Sequence, residues 1–112
     1  MIERRKFVRI PESSQITYRA LSNKKNEGFL TRDISQGGIR FYVHEFIPKD
    51  TTLQIRLTLQ KVSFSFEALV KVIWYKEIIP NERFELGARF INIPANATNH
   101  LINYIKSILQ LH

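Results

Sequence analysis

Six consecutive residues, Asp33-Ile34-Ser35-Gln36-Gly37-Gly38, set a carboxylate, a hydroxyl and two glycines between two runs with strand character, 28–32 and 39–44. The glycines offer positive φ and close approach to the backbone. The carboxylate and hydroxyl can hydrogen-bond either the turn itself or a ligand. A plain hairpin turn and a binding loop are both compatible with these residues. A second stretch, Glu3-Arg4-Arg5-Lys6-Phe7-Val8-Arg9-Ile10-Pro11, places four cations within six residues. Pro11 biases Ile10 toward extended geometry and no helical period is present, so residues 1–12 are expected to form a flexible basic arm. On an extended arm Arg5 and Arg9 stand about 13 Å apart on one side. That reach suits a ligand with two separated anionic or planar groups, which guanidinium forks bind and stack upon.

Regular elements must hold these two stretches in place. Residues 15–21 alternate Ile16, Tyr18 and Ala20 against Thr17 and Arg19, and residues 39–44 alternate Ile39, Phe41 and Val43 against Arg40, Tyr42 and His44. Leu53, Ile55, Leu57 and Leu59 alternate with polar neighbours, and a long run continues from Val62 through Trp74. Pro80-Asn81 marks a turn before Phe84, Leu86, Ala88 and Phe90. After Pro94 the period changes, and Leu101, Ile102, Ile105, Ile108 and Leu109 form the stripe of an amphipathic helix, with Asn96 or Thr98 available to cap its start. The expectation is all-β with a C-terminal helix: a six-stranded antiparallel β-barrel over 15–92 and a helix over 95–111, in one domain.

At 112 residues the chain can build one core without staples. It has no cysteine, which excludes disulfides and thiolate chemistry. No apolar stretch follows the charged N-terminus, and the run 68–75 is short and interrupted by Lys71, so a soluble, unexported chain without membrane insertion is expected. His44, His100 and His112 are scattered without ligand spacing, which argues against a metal site. Nothing offers Ser35 a base or an oxyanion hole, so no catalytic residue is assigned. Trp74 and the eight phenylalanines mostly follow the core phase. The net charge of +7 would attract phosphates, nucleic acid or an anionic surface, and it is concentrated in the arm.

Taken together, the two stretches resemble the PilZ domain family, whose signature is R-x-x-x-R near the N-terminus followed by D/N-x-S-x-x-G. Arg5 and Arg9 match the first motif; Asp33, Ser35 and Gly38 match the second. Leu86-Gly87-Ala88-Arg89-Phe90 also resembles the family's last strand. The resemblance implies a six-stranded barrel with a terminal helix, a bacterial cytoplasmic setting and cyclic di-GMP as ligand, with no other cofactor. Arg5 and Arg9 would then engage phosphates or the guanine O6/N7 edge. Asp33 would accept from guanine N1–H and the exocyclic amine, Ser35 would meet the ligand's polar edge, and Gly38 would admit backbone amides. Arg4 matches a position that accompanies binding of a stacked ligand pair. The ligand would be a signal that folds the arm over the barrel for a protein partner, not a substrate. Two other readings stand beside it: a small basic barrel for single-stranded nucleic acid, and a PilZ-shaped protein-interaction module without ligand. The core phase of the aromatics argues against the first, and the intact motifs against the second.

Overall fold

The structure, a computed structural model, describes residues 7–12, 14–20, 27–59 and 61–110. Seven strands and one helix follow in order: β1 (Arg9–Pro11), β2 (Gln15–Ala20), β3 (Glu27–Ser35), β4 (Gly38–Val43), β5 (Thr52–Leu59), β6 (Phe64–Ile79), β7 (Arg83–Asn92) and α1 (Ala95–Gln110). They form one antiparallel sheet in the order β1-β3-β2-β5-β6-β7-β4, with a further pairing of β3 to β4. The antiparallel β fold with a C-terminal helix is as expected, with seven strands where six were expected.

The additional strand comes from the expected arm. Ile10 is the apolar residue of a polar segment, and it is only 2% exposed, paired opposite Ile34. Burying that side chain draws the backbone alongside β3, and the Glu12 amide then donates to the Arg32 carbonyl at 3.0 Å. Within the expected arm of residues 1–12, Arg9–Pro11 is thus a strand of the sheet, and residues 1–6 lie outside the described residues.

The best-patterned runs fold as their alternation dictates. Leu53, Ile55, Leu57 and Leu59 are fully buried between β2 and β6, and Ile16, Ile39, Phe41 and Leu86 meet them in one core. β6 departs from its pattern near its middle. Val72 pairs with Ala88 but Trp74 pairs with Gly87, so one extra residue is inserted and the side chains from Trp74 to Glu77 change face. Trp74 consequently stands 37% exposed instead of in the core. α1 buries Ala97, Leu101, Tyr104, Ile105 and Ile108, while Leu109 of the expected stripe faces solvent. Neither Asn96 nor Thr98 caps it. Both lie inside the helix, and the Pro94 carbonyl accepts its first bond, from the Thr98 amide.

Candidate functional site

Antiparallel pairing places Arg9 opposite Ser35 and Pro11 opposite Asp33. The two motif stretches thus meet side by side, with Ile10 and Ile34 turned into the core between them. The expected six-residue turn is shorter than its sequence suggests: Asp33 and Ser35 belong to β3, Gly38 opens β4, and only Gln36 and Gly37 connect them.

Asp33, 6% exposed, is held from two sides. Arg9 Nη1 donates to Oδ1 at 2.8 Å, and Arg40 donates to Oδ2 through Nε at 2.6 Å and also through Nη2. A carboxylate offers about four lone-pair sites, so little acceptor capacity is left until one arginine moves. Arg40 follows Gly38 by two residues and stands directly opposite Asp33 in the β3–β4 register. Sequence reasoning read it as an ordinary outward residue of a strand; its position across from Asp33 needs the pairing register, which no local pattern discloses.

Ser35 and the glycines have structural duties that the motif alone does not reveal. Ser35 Oγ accepts from the Gly37 and Gly38 amides, both at 3.1 Å, and so closes the turn. No glycine described has positive φ. What demands glycine here is space: a Cβ on Gly38 would run into the Ala88 carbonyl of β7, and one on Gly37 would come within 2.7 Å of the Phe7 ring. Arg4 and Arg5 lie outside the described residues.

Arg9, Ile10, Pro11, Arg32, Asp33 and Arg40 line a hollow of about 300 Å³. Arg32 is tied by Nη1 to Oε2 of the buried Glu85 at 2.5 Å, and that hydrogen bond raises its pKa further above the ordinary arginine value. Pairing extends the site across the sheet, because Pro11, Asp33, Arg40, Gly87 and Trp74 occupy one row on the outer face. The Trp74 indole lies over Gly87 in the space a side chain would take. The row joins cation, carboxylate and aromatic plane, a set able to hold a planar, anionic molecule. Among the described residues no group of His, Asp and Glu is arranged to hold a metal ion, and no helix is long and apolar enough to cross a membrane.

Solved structures share this fold. The inhibitor of motility MotI/DgrA of Bacillus subtilis superposes with a TM-score of 0.83 at 19% identity, over 97% of this chain and 53% of that one. YcgR of Escherichia coli in complex with c-di-GMP gives 0.79 at 21% identity, over 97% and 47%. The PilZ domain of YcgR with c-di-GMP gives 0.73 at 20% identity, over 96% and 93%. The chain thus spans about half of the first two and nearly all of the third. No curated protein matches the sequence. The family model of the PilZ domain matches residues 3–107. That match takes in both motif stretches, the whole sheet and most of α1, and the chain belongs to the PilZ domain family.

Proposed function

We propose that this domain is a receptor for cyclic di-GMP that transmits occupancy of the Asp33 hollow to a protein partner, in the cytoplasm and without catalysing a reaction. The observation that carries this reading is the Asp33 carboxylate in the lining of the hollow, gripped by Arg9 from one side and Arg40 from the other. Two structures with this fold are described as complexes with c-di-GMP. Asp33 has the chemistry to accept from guanine N1–H and the exocyclic amine, a donor pair that adenine lacks. For that, Arg9 exchanges the carboxylate for a ligand phosphate, a charge-for-charge substitution that leaves neither group unpaired. Arg5 supplies the second fork of the R-x-x-x-R motif, and Arg4 the charge next to a second, stacked ligand. Ser35 and Gly38 keep the turn in the shape that presents Asp33. The Trp74 indole, at the far end of the row, offers a plane on which a base can stack. Binding draws Arg4 and Arg5 to the Asp33 end of the sheet, which alters the surface a partner meets.

Isothermal titration of cyclic di-GMP into the purified protein, beside GTP and a short single-stranded oligonucleotide, tests this reading. Saturable heat with the cyclic dinucleotide alone is expected, and a molar ratio near two would report a stacked pair. No heat with the dinucleotide would retire the receptor reading; heat with the oligonucleotide that falls steeply with salt would then favour a nucleic-acid binder, and no heat with either a protein-interaction module.

A further inference from the structure

β1 has little to hold it. It is three residues long, it pairs with β3 alone, and Ile10 is its one buried side chain. Edge elements this short open readily unless tied down. The tie lies at its C-terminal end, in Glu12, a carboxylate only 8% exposed that takes no part in the hollow around Asp33. Its Oε1 accepts the hydroxyl of Tyr104 at 2.7 Å, and its Oε2 accepts that of Ser14. The Glu12 carbonyl accepts Thr31 Oγ1 at 2.9 Å, and its amide donates to Arg32. Tyr104 projects from the buried face of α1 and is 3% exposed, so the bond joins two segments 92 residues apart in a site that water hardly reaches. Arg9 stands three residues before Glu12, at the other end of β1.

We propose that Glu12 and Tyr104 are positioning residues for the ligand site: their buried hydrogen bond clamps β1 to α1 and so keeps Arg9 over Asp33. Neither residue touches the hollow that receives the ligand. Removing the hydroxyl leaves a buried carboxylate short of a donor, and such a group regains its hydrogen bond by moving out to water. Moving Glu12 outward pulls on the end of β1, which the Glu12 amide bonds to β3, and with it on Arg9. The effect on affinity rests on the receptor reading above, whereas the effect on β1 does not.

Tyr104→Phe keeps the ring and deletes the donor. In the free protein, hydrogen exchange at the Glu12 amide is expected to rise about tenfold relative to amides of β5 and β6, and the dissociation constant for cyclic di-GMP to rise by about the same factor. Glu12→Gln, which retains an oxygen to accept the Tyr104 hydroxyl, should stay near the parent protein in both. Leu101→Ala, a cavity one turn away in α1, lowers the unfolding temperature and should loosen the molecule without singling out Glu12. Unchanged exchange at Glu12 in Tyr104→Phe, or a rise shared equally by the whole sheet, would overturn the clamp. Faster exchange with unchanged affinity would overturn its role in ligand binding. If the parent protein does not bind cyclic di-GMP, the receptor reading fails, and the exchange arm alone decides whether the clamp exists.

Discussion

Arg9 keeps 23% of its side chain exposed while one Nη1 bond engages Asp33, so its second nitrogen can meet a phosphate without a large rearrangement. A charge-assisted bond contributes about 1.5–3 kcal/mol, and Arg9→Ala should weaken cyclic di-GMP binding about 10- to 150-fold by titration calorimetry. Arg9→Lys should also lose substantially, because an ammonium supplies the charge but not the planar fork. Gly38 makes a different demand. A methyl group there meets a backbone carbonyl of β7, which cannot swing aside, whereas at Gly37 it meets the edge of a phenylalanine ring, which can. Gly38→Ala should cost about 1–3 kcal/mol in urea unfolding, and Gly37→Ala at most about 1 kcal/mol. Equal costs would mean that the turn, not the contact with β7, sets the requirement for glycine. The motif named residues that the sheet brings together at this end, but not that Ser35 and Gly38 have contacts that serve the fold.

At the scale of elements, legibility followed how local the deciding interaction is. Leu53, Ile55, Leu57 and Leu59 alternate along a strand buried on one face, and two-residue periodicity suffices to place them. β1 escaped notice because one isoleucine beside a proline carries no period; only its partner Ile34 makes it a strand. Trp74 was misplaced for a related reason, since the insertion after Val72 reverses the faces and depends on the register with β7. Arg40 joined the site through its cross-strand partner, again a non-local fact. The two faces can be separated by experiment. Leu57→Ala, in the core, should cost about 2–5 kcal/mol in urea unfolding. Trp74→Ala should cost at most about 2 kcal/mol yet weaken cyclic di-GMP binding by about 1–3 kcal/mol if a base stacks on the indole. A large stability loss with unchanged affinity would return Trp74 to the core.

For the whole molecule, the first strand and the last helix are joined where Tyr104 of α1 reaches Glu12 beside β1, and that contact makes stability sensitive to alkali. Burial, with the hydrogen bond to Glu12 second, raises the Tyr104 pKa above its ordinary value of 10.0. The sign follows from the proton inventory. Above about pH 10 the unfolded chain releases the phenolic proton while the folded chain keeps it, so the unfolded state binds fewer protons and stability falls as pH rises. Below that range the phenol is protonated in both states and the contribution is present in full. Tyr104→Phe has no such proton to lose. Urea unfolding at a series of pH values from neutral to strongly alkaline should therefore show the parent protein and the variant differing by a constant amount up to about pH 10. Beyond it the two curves should converge, as the parent loses what the buried phenol contributed. Other tyrosines and lysines titrate in the same range but are common to both proteins, so they cancel in the difference. A difference that stays constant into strong alkali would mean that Tyr104 ionises as freely in the folded protein as in the unfolded one, and that its bond to Glu12 does not persist in solution.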